Sequence, residues 1–167
     1  MSHRVRALLI LILVGATAHA DPLAPLWDAE LRLGYGIQVA SGDGMTAPRA
    51  APLTIEGNVA FALEEEPRLY AYAGGIAETL DRSAMGATGG VQLEQGPMRL
   101  RGGAVYFFAP YTLFGATVSG GGCHRMGTTT RVCADVALTE YFAGTDLVTG
   151  HAATQVQLVL GMVFDGN

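Results

Sequence analysis

Few residues in this 167-residue sequence have the types and spacing to do chemistry. Cys123 and Cys133 are its two cysteines. A hairpin turning at Thr128 sets them directly opposite on one face, and a disulfide there suits an exported, oxidising compartment. Neighbouring His124 would add a third zinc ligand, but a fourth ligand and the usual spacing are missing, so no metal site is expected. His151 and Asp146, with Ser41, Asp43, Asp81 and Ser83, have the residue types of a Ser–His–Asp relay. No hydrolase or acyltransferase motif surrounds His151, and loops are rich in such side chains. Glu64-Glu65-Glu66 reads as a solvated turn rather than a cation site. The glycine clusters Gly74-Gly75, Gly89-Gly90 and Gly120-Gly121-Gly122 lie in or beside predicted strands, where close backbone packing explains them, and they form no phosphate-binding fingerprint. No catalytic or cofactor-binding residue is expected. The remaining candidates are charges set within apolar or small-residue stretches: Asp28, Glu30, Arg32, Glu56, Arg99, Arg101, Arg131 and Asp135. Cations and anions match in number. An unpartnered buried charge costs several kcal/mol, so the match predicts a paired interior network.

The elements that would hold these charges alternate with period two. Over Trp27–Ala40 the odd positions are Trp27, Ala29, Leu31, Leu33, Tyr35, Ile37 and Val39, and the even ones are polar or tiny. A strand separates these sets onto two faces, whereas a helix mixes them. The pattern recurs over 53–64, 68–80 (where Tyr70, Tyr72 and Ile76 share a face), 87–94, 98–108, 113–121, 129–142 and 152–164. Val105 and Phe107 break it. A turn at Gln95-Gly96 would pair Leu93 with Met98, Val91 with Leu100 and Gln92 with Arg99. One at Ala109–Tyr111 would pair Tyr106 with Phe114 and Ala104 with Ala116. Like faces then meet across both turns, as hairpin register requires. Eight strands with short connections predict an all-β fold, an eight-stranded antiparallel up-and-down barrel.

Residues 1–20 have the form of a cleaved signal peptide: Arg4 and Arg6, an apolar core Ala7–Val14, and Ala18-His19-Ala20 ahead of Asp21. Cleavage is expected between Ala20 and Asp21, leaving 21–167 as one domain. No later stretch could cross a bilayer as a helix, so membrane entry would need a closed barrel. Half the residues are hydrophobic and 15% charged, which excludes a disordered acidic chain. With no lysine and a net charge of −5, a nucleic-acid partner is excluded too. Two barrels fit the alternation. A soluble lipocalin-like barrel would turn its apolar face inward around a hydrophobic ligand. An outer-membrane barrel would turn it toward lipid. Small residues beside paired charges suit a crowded lumen, and aromatics near strand ends suit interfacial girdles, so the lipid-facing form is expected.

The leader, the alternating strands, the arginine–carboxylate set and the final strand Gln155-Val156-Gln157-Leu158-Val159-Leu160-Gly161-Met162-Val163-Phe164 together resemble a known family. It is that of the small eight-stranded outer-membrane barrels of Gram-negative bacteria, of the OmpA-transmembrane-domain and OmpX type. The resemblance covers essentially all of 21–167. It implies a transmembrane barrel in the outer membrane, contact with outer-membrane lipid, and a final strand read by the barrel insertion machinery. Here Asp165-Gly166-Asn167 follow Phe164, a departure from the usual terminal aromatic. A structural or surface-interaction role is expected, with loops 41–52 and 143–152 as partner surfaces. Because some such barrels modify lipid A, a lipid-modifying enzyme stands as an alternative.

Overall fold

The computed structural model of the chain describes residues 26–42, 45–65, 67–80, 83–147 and 150–166. The leader and its cleavage point at Ala20 and Asp21 lie outside them. The described elements are all strands: β1 (Trp27–Gly42), β2 (Met45–Ala50), β3 (Leu53–Glu65), β4 (Arg68–Thr79), β5 (Ala84–Gln95), β6 (Met98–Ala109), β7 (Leu113–Arg125), β8 (Thr130–Gly144) and β9 (Ala152–Gly166). Each pairs antiparallel with its neighbour, and β1 also pairs with β9, which closes the sheet. Closure removes the edges of the sheet except at β2, which pairs with β1 alone.

Nine segments make eight staves. β1 pairs with β3 as far as Gly34↔Thr54 and with β2 from Ile37↔Ala50 onward. Between these pairs, Tyr35 and Gly36 face Ala51, Pro52 and Leu53, so the second stave carries one extra residue. Pro52 has no N–H to give the ladder, and Ala51 N–H donates to the Gly36 carbonyl at 2.9 Å. The expected loop over 41–52 is therefore mostly a strand hairpin. β5 also begins earlier than its alternation suggested, at Ala84.

Cross-strand partners followed around the barrel run Glu30, Asn58, Gly74, Thr88, Val105, Gly115, Tyr141, Ala153 and back to Ala40, ten residues further along β1. For eight strands such a stagger corresponds to a tilt of about 40° and an interior that side chains can fill.

The β5–β6 hairpin differs from its expected register. Leu93 pairs with Leu100 and Gln92 with Arg101, because the turn residues are Gly96 and Pro97. Gly96 has φ 57°, and a primed two-residue turn places glycine first for that reason. The slide spans two residues, so the side chains keep their faces. In the next hairpin Tyr106↔Phe114 and Ala104↔Ala116 pair as expected.

Burial is inverted relative to a water-soluble barrel. Outward positions hold Leu31, Leu33, Ile37, Val136, Leu158 and Leu160, each about half exposed, while Asp28, Arg101 and Asp135 inside are 2% exposed. Outward aromatics form two patches, one at each end, each on three adjoining staves. Trp27, Phe61 and Phe164 lie at the end that holds both ends of the barrel, and Tyr106, Phe108, Phe114 and Phe142 lie at the opposite, loop end. Along β1 the outward apolar face runs from Trp27 to Ile37, and about 9–11 residues let a tilted strand span a bilayer.

On β4, β6, β7 and β8 the interior differs from a uniform polar lining. Tyr70, Tyr72 and Ile76 of β4 point inward, and Ala73 and Gly75 point outward. Val105 and Phe107 are also interior. With Ile76, Leu113 and Tyr141 they form an apolar cluster that fills the loop end, against which Tyr111 and Leu147 pack.

Candidate functional site

The interior half nearer the chain ends is where the barrel gathers its charges. Glu30 of β1 accepts from two arginines of β6, Arg99 Nη1 at 2.7 Å and Arg101 Nη1 at 2.6 Å. Arg99 Nη2 reaches Asp135 of β8 at 2.6 Å. Arg32 donates to Asp135 and to Glu56 of β3, both at 3.0 Å, and to Ser119 of β7 at 3.3 Å. The Arg101 guanidinium lies over the Tyr72 ring of β4, 3.8 Å from its centroid. Five of the eight staves are thereby joined in one group, with β7 tied through a hydroxyl.

A second group sits closer to the chain ends. Arg131 of β8 donates through Nη1 to Glu94 of β5 at 2.8 Å and through Nη2 to Asp28 of β1 at 3.3 Å. Its Nε donates to Asp165 of β9 at 2.8 Å. Arg125 of β7 reaches Asp165 from the rim at 3.4 Å. The structure thus splits the eight sequence-nominated residues between two groups, Glu30, Arg32, Glu56, Arg99, Arg101 and Asp135 in the first and Asp28 and Arg131 in the second. All are buried but Glu56, which is half-buried.

Sequence reasoning missed Glu94, Asp165, Tyr72 and Ser119 as members. Parity carried the signal for Glu94, Asp165 and Ser119, and none marked Tyr72. Glu94 shares a face with Gln92, and Asp165 shares one with Gly161 and Val163.

Alternation explains why this chain places arginines here. Arg99 and Arg101 are two apart and so share the inward face of β6, as Glu30 and Arg32 do on β1. Glycines clear room for them. A Cβ on Gly161 would stand 2.7 Å from Glu30 Oε1, and one on Gly103 would meet the Tyr72 hydroxyl. Gly161→Leu is therefore expected to displace Glu30 and cost about 1–3 kcal/mol as overpacking, read as a lower urea midpoint of the folded barrel.

Chemically, these groups act as cross-links between staves that are distant in sequence. At the loop end, Glu78 accepts from Tyr111 Oη at 3.1 Å and from Gln155 Nε2 at 3.4 Å. Phe107 and Tyr141 pack against each other at the loop end, their ring planes tilted by 49° and their centroids 6.2 Å apart.

Cys123 and Cys133 are directly opposite in β7 and β8 and form a disulfide. They close a loop of about ten residues, for which the chain-entropy model gives about 2–3 kcal/mol. Reduction should lower the unfolding free energy by that amount, read as a lower urea midpoint, and a Cys123→Ser/Cys133→Ser variant should match the reduced protein. Of the residues that could compose a relay, Ser83 and Asp146 are exposed at the loop end and His151 is half-buried. Asp43, Asp81 and the side chain of Ser41 lie outside the described residues. His124 is exposed at the opposite end.

No known protein family and no curated protein matches the sequence. Solved structures do resemble the fold. A designed transmembrane β-barrel shares 10% identity, with 85% of this chain and 97% of that chain covered and a TM-score of 0.51. Neisserial surface protein A shares 11% identity, with 83% of this chain and 96% of that chain covered and a TM-score of 0.51. At such identities the likeness concerns architecture. The chain has the fold of the small eight-stranded outer-membrane β-barrels.

Proposed function

We propose that this chain is an integral outer-membrane protein, exported by a cleaved leader, whose role is structural or lies in surface interaction rather than catalysis. The inverted burial carries the reading: an outward apolar belt with a patch of aromatics at each end surrounds a paired arginine–carboxylate interior. Water would penalise the belt and reward exposure of the charges. A hydrocarbon surround does the reverse. The lumen is treated as packed and closed, since charges fill one end and the Phe107–Tyr141 cluster fills the other. The loop end, including 143–152, is the natural partner surface, and β9 with its outward Phe164 is the segment for the insertion machinery to read.

The test is fractionation of cells expressing the full chain, with an alkaline wash and a comparison of boiled and unboiled samples on SDS gels. Retention in the outer membrane with a heat-dependent mobility shift supports the reading. Release as a soluble species would favour a ligand-binding barrel.

A further inference from the structure

Among the described residues, Glu140 of β8 is the one acidic or basic side chain on the outward positions between the two aromatic patches. It is exposed and has no hydrogen-bond or ion-pair partner among the described residues. A carboxylate on the lipid face is unfavourable unless something pairs with it, though the cost falls toward the interface.

The surroundings define what could pair. Glu140 lies opposite Ala116 of β7, and Ala116 lies opposite Ala104 of β6, so the floor on that side of the carboxylate is methyl groups, while Thr154 of β9 stands opposite it on the other side. Toward the loop end that floor is backed by Tyr106, Phe114 and Phe142. Phe114 and Phe142 meet edge to face at 5.3 Å, and Tyr106 and Phe114 are 6.5 Å apart. A shallow shelf with a carboxylate at its edge and aromatic rings along its back suits an organic cation: the carboxylate takes the charge and ring faces attract an ammonium. A bare phosphate head group would be repelled by Glu140.

We propose that this shelf binds the ammonium of a membrane lipid head group. The proposal rests on the membrane-embedded reading above.

The test uses the full chain, folded in nanodiscs of equal parts phosphatidylethanolamine and phosphatidylglycerol. After transfer to detergent, retained lipids are counted by native mass spectrometry. Every sample is first checked for the heat-dependent gel shift, and failure there condemns the barrel reading rather than the shelf. The expected result is about five-fold retention of the ethanolamine lipid over the glycerol lipid. The ratio should fall to near one in Glu140→Gln and partway in Phe142→Leu, which keeps the charge and removes a ring, with the gel shift unchanged in both. Equal retention in the parent protein, or a preference that survives Glu140→Gln, overturns the proposal. A two-chain species abolished by Glu140→Gln would overturn it in favour of a second copy.

Discussion

Glu30→Leu is expected to destabilise the folded barrel by about 3–5 kcal/mol, seen as a large fall in the urea midpoint in detergent micelles. Glu30 is buried and takes two arginines of β6 at once, Arg99 at 2.7 Å and Arg101 at 2.6 Å. Arg99 keeps Asp135 when Glu30 is gone. Arg101 is left with the Tyr72 ring, and its Nε and Nη2 have no hydrogen-bond partner to take up the charge. The penalty is thus mostly that of a buried cation stripped of its anion. It follows that Glu30→Leu/Arg101→Leu should be closer to the parent protein than Glu30→Leu alone, because the second change removes the stranded charge. A midpoint unmoved by Glu30→Leu, or a double variant worse than the sum of the two singles, would contradict the network.

The second large effect is expected on the opposite face. Leu160→Arg should cost about 2–4 kcal/mol in vesicles, the penalty for an arginine facing the middle of a bilayer. Leu160 is 55% exposed, and it stands between Leu158 and Met162 on the outward face of β9, well away from either aromatic patch. Thr154→Arg, near the loop end of the same strand, should cost less than about 1 kcal/mol, since the penalty declines toward the interface. In a barrel surrounded by water both changes would fall within about 0.5 kcal/mol of neutral, as exposed substitutions usually do. The comparison therefore separates a lipid surround from a solvent one without reference to any other protein.

Alternation made the staves and the disulfide legible, because a period of two leaves the same trace in every strand. Turn register was not legible to the same degree. Sliding the β5–β6 hairpin by two residues keeps every side chain on its face, so Leu93 finds an apolar partner in either Met98 or Leu100. What decides is the backbone at Gly96, which no face pattern records. The hairpin of β1 and β2 was hidden for another reason: Gly42 and Pro48 carry loop signals that the ladder overrides. The rule that polar side chains face inward also has a limit. Tyr72 is interior because Arg101 needs a surface to lie on, and Phe107 because the loop end is filled by apolar volume rather than by charge. Asp165 was read as a tail beyond the final aromatic, yet β9 continues through it and delivers its carboxylate to Arg131.

The central claim is that the apolar outer face meets lipid, and the chain carries its own reporter there. Trp27 is the sole tryptophan and points outward beside Phe61 in the patch at the chain ends, 42% exposed. The most direct measurement is its fluorescence in vesicles whose acyl chains carry bromine at defined depths. Strong quenching by bromines close to the head groups, weaker quenching by bromines near the chain termini, and little quenching by aqueous iodide is the result this structure requires. Trp27 quenched by iodide and untouched by brominated lipid would place the apolar face in water and contradict it.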